Sequence, residues 1–437
     1  MHAEDVVMLC ISDFAGQVRG KGFPATELAS RLTSGIGLAP TNLMITALGE
    51  IGDSPWGPRG EVVMLPDPAT ETRVQLGEGI PDERLFLADL VTLDGCPWAC
   101  CPRGWLARGL DALESEFGLR LNAAFEHEFH YSGAVGRTGD AYLLDALRLQ
   151  GPFAGMVFTA LRDNGIEPET FLPEFGPGQF EVTVKPKIGV AAADDAVRLR
   201  EIVRAVARGL GQRARFAPVM APGTVGNGVH VHFSLQTVDG EPVSYDPDHP
   251  DGMSKVMGAF AEGVLETMPA LTALSAPSPV SYERLKPNRW SAAWNNLGRA
   301  DREEGVRICP VPAFGGIEPA ASFNLEYRAA DAAASPYMLL GALVWAGLEG
   351  VRRGLRPRPA TTEDPASLGP TERVRYRIER LPTSLNQALD VLEDSGTLGR
   401  AMGPELHGAY LTHKRAEVAL TAGLTLEQVV ERYVDAY

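Results

Sequence analysis

What most constrains this chain is a set of acids and imidazoles embedded in apolar, strand-like runs. In Phe125-Glu126-His127-Glu128-Phe129 the two glutamates stand two positions apart, so an extended backbone projects both from one face. Gly228-Val229-His230-Val231-His232-Phe233-Ser234 does the same for His230, His232 and Ser234, and Leu325-Glu326-Tyr327-Arg328 for Glu326 and Arg328. A fourth segment, Glu174-Phe175-Gly176-Pro177-Gly178-Gln179-Phe180-Glu181, sets a carboxylate on either side of a tight turn. Singly, each has an ordinary explanation as a solvated strand face, a plain turn or a surface ion pair. Together they are five carboxylates and two imidazoles bracketed by apolar residues, and burying that many acids without a cation is costly. A divalent metal resolves the conflict. Oxygen-dominated coordination with one histidine suits Mg2+ or Mn2+ better than structural Zn2+.

A second set is cationic: Arg284 in Ser281-Tyr282-Glu283-Arg284-Leu285, then Arg299, Arg302 and Arg307, then Arg328. Guanidinium forks suit carboxylates and transferring phosphoryl groups. Metals with arginines point to phosphoryl transfer from a metal-bound nucleotide. The sequence has neither a GxxxxGK[ST] loop nor a GxGxxG opening a helix after a strand, so the nucleotide must be held in another way.

The 437 residues are enough for a large core. The balance of 40 basic against 56 acidic residues, 40 − 56 = −16, argues against nucleic acid and anionic membranes as partners. Five cysteines without CxxC spacing fit a reducing cytoplasm better than a disulfide framework. The start, MHAEDVVMLC, is too acidic for a secretory leader. The most apolar stretch, Met338 to Val351, is too short to span a bilayer and reads as a buried helix.

Strand-like runs at Val6–Ile11, Asn42–Leu48 and Glu61–Leu65 suggest a small sheet-rich domain over residues 1–100, with a boundary in Gly95–Arg103. A helical pattern follows at Gly104–Phe117. Beyond it, strand-like segments (Leu121–Tyr131, Gln179–Val184, Gly228–Leu235, Phe323–Tyr327) alternate with helical ones (Asp194–Gln212, Ser254–Ala273, Tyr337–Arg353) in an α+β domain over 101–437. Residues Arg353–Thr371 read as a loop, and helical patterns at Leu385–Leu398 and Leu426–Tyr437 close the chain.

In this order and spacing, ExE, ExGPGQxE, GxHxH, SYxRL, RxxxxRI and LExR resemble the glutamine synthetase family, and most closely its γ-glutamyl-amine and γ-glutamylpolyamine ligase branch. The resemblance implies a β-grasp-like N-terminal domain and a large catalytic domain with a curved antiparallel sheet flanked by helices. It also implies that ATP converts a carboxylate to an acyl phosphate, which an amine then attacks. Carried over by position, Glu126, His230 and Glu326 resemble the ligands of the metal on the nucleotide phosphates. Glu128, Glu174 and Glu181 resemble those of the metal beside the acid substrate. His232 and Ser234 would contact nucleotide. Arg284 would clamp the α-carboxylate beside Glu128 and Gly226, and Arg302, Arg307 and Arg328 would stabilise the phosphoryl group. The resemblance further implies a cytoplasmic homo-oligomer, a double ring and usually a dodecamer.

The departures from the family pattern fall mainly on the amine side. Trp290, in Lys286-Pro287-Asn288-Arg289-Trp290-Ser291, stands where ammonia-using members carry a flap glutamate. The FDGSS-type segment is missing, with only Glu50 and Asp53 nearby. Val225 replaces an asparagine near the acid substrate, and Asn324 replaces an arginine before Glu326. The expectation is a C–N ligase that joins glutamate to an amine larger than ammonia, with Trp290 lining the amine pocket. Ordinary glutamine synthesis and a non-catalytic structural role are the alternatives.

Overall fold

The computed structural model describes residues 4–77, 80–299, 301–312 and 314–437. The first of its two sheets comprises β1 (Val6–Ser12), β2 (Val18–Pro24), β3 (Ile36–Leu38), β4 (Val62–Pro66), β5 (Thr72–Val74) and β6 (Glu83–Val91), ordered β2-β1-β6-β4-β3 with β5 also on β6. Helix α1 (Leu28–Ser34) connects β2 to β3. β1 runs parallel to β6, and the remaining pairs are antiparallel. Asn42–Leu48, expected as a strand, instead begins in a 3-10 turn over Pro40–Met44, followed by a single bridge between Ile45 and Ile51. Pro40 presets the helical φ, and the turn itself buries Leu43 and Met44. Those apolar residues therefore need no partner strand.

The second sheet contains β7 (Leu119–Tyr131), β8 (Pro168–Pro173), β9 (Gln179–Val184), β10 (Lys187–Ile188), β11 (Ala214–Arg215), β12 (Val229–Thr237), β13 (Leu297–Gly298), β14 (Val306–Ile308) and β15 (Leu325–Tyr327). Its order is β13-β14-β15-β12-β7-β9-β8, with β10 and β11 also pairing β7. The pairs are antiparallel except at one edge, where β13 runs parallel to β14. One face of the central strands, with Phe125, His127, Phe129, Val229, Val231 and Phe233, is buried in the core. Burial, helped by Arg200, pulls the His127 imidazole down to about 3. It is a neutral core residue.

The helices are α2 (Pro102–Phe117), α3 (Leu144–Leu149), α4 (Phe153–Asp163), α5 (Val190–Gly209), α6 (Lys255–Ser275), α7 (Ser281–Arg284), α8 (Pro319–Ser322), α9 (Pro336–Arg353), α10 (Pro370–Tyr376), α11 (Leu385–Glu393), α12 (Gly396–Thr421) and α13 (Leu426–Ala436). The apolar stretch from Met338 lies in α9, buried as expected. No helix among the described residues is long and apolar enough to cross a membrane. The pattern read over Leu385–Leu398 ends at Glu393, because Ser395 caps a new helix by accepting from the Leu398 N–H at 3.3 Å. That helix, α12, was not anticipated from the sequence; it kinks at Gly403 (φ 72°) ahead of Pro404, which breaks its period.

Candidate functional site

Register across the second sheet explains why residues far apart in sequence meet. Arg307 lies opposite Glu326, Glu326 opposite His232, His230 opposite Glu126, and Glu128 opposite Glu181. Directly paired residues share a face. The face opposite the core therefore carries a band of carboxylates, imidazoles and guanidinium groups across β14, β15, β12, β7 and β9.

Within that band Glu126 bridges the two histidines, with Oε2 at 3.2 Å from His230 Nδ1 and Oε1 at 3.1 Å from His232 Nε2. Burial pulls His230 down, as does Arg328. Burial works the same way on His232, but its contacts with Cys309 and Glu126 outweigh it and hold that imidazole well above its ordinary value. Glu326 is almost fully buried and pairs with Arg328 and, at 2.6 Å, with Arg307. Glu128 accepts from the Gly228 N–H at 2.9 Å and from Gln179 Nε2 at 3.1 Å.

The carboxyls of β9 and the turn before it carry the strain of this crowding. Burial, reinforced by Glu126, Glu128, Glu174 and Glu326, pushes Glu181 up to about 9. Burial and then Glu128 push Glu174 up to about 7. Acids pushed toward the protonated form by burial and by one another are what a bound cation would ionise. Ligand atoms of Glu126, Glu181 and His230 lie within 4.8 Å of one another, as do those of His232, Cys309 and Glu326. Glu181 thus stands with Glu126 and His230, and Glu326, besides its arginine partners, lies 3.5 Å from His230 Nδ1. The Glu126, Glu181 and His230 group, with two carboxylates to one imidazole, fits Mg2+ or Mn2+.

Two cavities open on this face and share Glu126. One, of about 310 Å3, is lined by Glu126, Glu128, Glu174, Glu181, His230 and Glu326 together with Gly226, Arg284, Trp290, Arg302, Arg307 and Arg328. The other, of about 300 Å3, is lined by Glu126, His232 and Ser234 and closed by Ser322, Phe323 and Asn324. The expected metal, acid and phosphoryl residues thus converge on the first, and the expected nucleotide contacts on the second.

Arg284, the last residue of α7, is buried; its Nη2 donates to the Arg328 carbonyl at 3.1 Å, whereas Nη1 has no partner among the described residues. An unpartnered buried guanidinium N–H facing a cavity is a place for an anion. A Cβ at Gly226 would stand 2.7 Å from Arg284 Cγ, so only glycine allows this approach. Asn324 Oδ1 stands 2.8 Å from His232 Nδ1 and so orients that ring.

Three residues in contact with the site, Gln179, Cys309 and Tyr142, have no expected role from the sequence. Gln179 Nε2 donates to Glu128, to the Gly226 carbonyl (2.9 Å) and to Asn227 Oδ1 (2.9 Å), joining β9 to the acid-side loop. Its place between Glu174 and Glu181 was a usable signal. Cys309, two residues after Arg307, and Tyr142, in a loop, gave none. The flap residue Trp290 is held by its backbone: its N–H donates to Glu303 at 2.5 Å, and its carbonyl accepts from Arg328 at 3.3 Å.

Comparison with known proteins gives the family of the whole chain. The family model described as glutamine synthetase, catalytic domain, matches residues 99–433, and that of the glutamine synthetase N-terminal domain matches residues 2–98. A gamma-glutamylpolyamine synthetase of Streptomyces coelicolor is 33% identical over 98% of this chain and 92% of its own length. A glutamine synthetase of Pyrococcus furiosus is 29% identical over 91% of this chain and 86% of its own. Among solved structures, one titled a novel glutamine synthase homolog superposes with a TM-score of 0.92 at 41% identity, covering 100% of this chain and 99% of that one. An ADP complex of GmaS gives a TM-score of 0.83 at 25% identity over 99% and 97% of the two chains. Fold and site define an ATP-dependent ligase. The chain belongs to the glutamine synthetase family.

Proposed function

We propose that this ligase condenses glutamate with an amine other than ammonia to give a γ-glutamyl amide, through a γ-glutamyl phosphate. The observation that carries this reading is an asymmetry: the acids, histidines and arginines expected for phosphoryl transfer line two cavities that share Glu126, whereas the flap position at the amine side holds Trp290. An indole does not attract ammonium as a carboxylate does, although its face accepts organic cations and hydrocarbon alike.

In this reading Glu126, His230 and Glu326 hold the cation on the nucleotide phosphates, and Glu128, Glu174 and Glu181 the one beside the acid. Bound Mg2+ or Mn2+ supplies charge neutralisation for the phosphates and acid. His232 and Ser234 contact the nucleotide. Arg284, with Gly226 beside it, holds the α-carboxylate. The γ-carboxylate oxygen attacks the γ-phosphorus as the bond to ADP breaks, with Arg302, Arg307 and Arg328 stabilising the charge in flight. The amine nitrogen then attacks the carbonyl carbon, the C–O bond to phosphate breaks, and the nitrogen loses a proton. Trp290 and its loop exclude water while the acyl phosphate lasts. By kinship we assign the chain a division near residue 100 into N-terminal and catalytic units, a cytoplasmic setting and a double-ring homo-oligomer, a dodecamer.

Phosphate release with ATP, Mg2+ and glutamate, compared between ammonia and a panel of amines, tests the reading. Turnover with one or more amines well above that with ammonia is expected. Efficient turnover with ammonia alone would make the protein a glutamine synthetase. Failure to bind Mg2+ and ATP in calorimetry would favour a structural role.

A further inference from the structure

The first cavity opens through a rim of three large, exposed aromatic side chains: Tyr142 (60% exposed), Phe175 (43%) and Trp290 (57%). The Phe175 and Trp290 rings lie 5.0 Å apart at 60°, and the Tyr142 and Phe175 rings 5.9 Å apart, edge to face. Leu172 and Val225 complete the apolar part of the wall. Single exposed aromatics need no explanation, but a contiguous group at the mouth of a polar cavity does.

The backbone shows that the rim is built in. Tyr142 and Trp290 both adopt positive φ, 58° and 54°, as does Asn288 (59°) two residues before Trp290. Left-handed backbone is unfavourable for bulky side chains and persists where the surroundings enforce it, often at ligand sites. The Tyr142 N–H donates to the Pro173 carbonyl at 3.1 Å. Glu303 accepts from the N–H groups of Asn288 (2.9 Å) and Trp290. Phe175 sits in the turn between Glu174 and Gly176. Three separate loops thus bring rings together over the path to the carbonyl that the amine must reach.

Aromatic faces accept a hydrocarbon or an ammonium; the neighbouring charges decide between them. Arg289 and Arg302 stand in the same lining. The acids there are engaged with metal in the proposed function, on which this inference rests. A second ammonium at the far end of a polyamine would therefore meet the Arg289 guanidinium, which has no role in the phosphoryl transfer, and no unengaged carboxylate among the described lining residues.

We propose that the rim of Tyr142, Phe175 and Trp290 selects primary monoamines with an apolar tail, arylalkyl or long alkyl, over polyamines. Initial rates with glutamate and ammonia, methylamine, 2-phenylethylamine, hexylamine, putrescine or spermidine test it. The expected kcat/KM for 2-phenylethylamine exceeds that for putrescine by about tenfold or more. In Phe175→Ala the ratio of 2-phenylethylamine to methylamine falls by about tenfold, since the tail loses one wall. Calorimetric titration of 2-phenylethylamine and of putrescine into protein loaded with Mg2+ and ADP reads the same preference without turnover. Preference for putrescine or spermidine, or an unmoved ratio in Phe175→Ala, overturns this inference and leaves the proposed function standing. Ammonia outpacing every amine overturns both.

Discussion

Glu181 illustrates how much of the site's chemistry resides in single side chains. Its folded carboxyl sits at about 9, so between its ordinary value and about 9 the metal-free native state keeps a proton that the unfolded chain has lost. Stability then falls as pH rises through that window, because the unfolded state binds fewer protons. Melting the protein in EDTA between pH 6 and 9 should give a declining Tm. Mg2+ should raise Tm by an amount that grows with pH, and Glu181→Gln should flatten the decline; a Tm in EDTA that climbs toward pH 9 would contradict the assignment. Glu128→Ala and Glu174→Ala remove groups placed on the second cation and should lower turnover by about 100-fold or more, with an unchanged elution volume on size exclusion. These acids were recognisable in the sequence only in combination, because each segment alone has an ordinary explanation whereas five carboxylates and two imidazoles set among apolar residues together need a cation. Their grouping was not, since it depends on which strands pair: Glu181 reaches Glu126 and His230 only through the β9-β7-β12 order.

At the scale of elements, strands with regular alternation, such as β7, β9 and β12, were readable almost to their ends. The 3-10 turn at Pro40–Met44 was misread because a short apolar run does not reveal whether it is paired. Helix α12 was missed because Gly403 and Pro404 interrupt its period. A closer constraint, equally invisible in sequence, binds α6 to α9. A Cβ on Gly263 would stand 2.2 Å from the Ala346 carbonyl oxygen, and one on Gly350 2.1 Å from that of Ala259. The two helices touch backbone to backbone there, behind the sheet that presents the site. Gly263→Ala should cost about 1–3 kcal/mol by forcing the helices apart, read as a lower midpoint in urea. An unchanged midpoint would mean that the crossing yields at no cost.

Across the whole molecule, the end of the chain reinforces the acid-binding side. Helix α13 contributes Val429, Val430 and Tyr433 to a small cluster with Ala217, Val219, Val280 and Ala333, joined by Tyr437. Val219 bridges to Gly226 in the loop beside Arg284, and Val280 caps α7, which carries Arg284. Tyr437 itself ties three regions together: its carbonyl accepts from the Phe216 N–H at 2.8 Å and from Arg204 at 2.9 Å, and its hydroxyl donates to the Ala15 carbonyl at 2.6 Å. None of this could be read from the amphipathic pattern of Leu426–Tyr437, which reveals a helix but not what it supports. Tyr433 is fully buried, so Tyr433→Ala should destabilise the protein by about 3–5 kcal/mol. The loss should also loosen both walls that position the acid. KM for glutamate should therefore rise severalfold in Tyr433→Ala, while KM for ATP, governed by the cavity around His232 and Ser234, should change much less. Equal shifts in both constants would mean that α13 serves global stability alone.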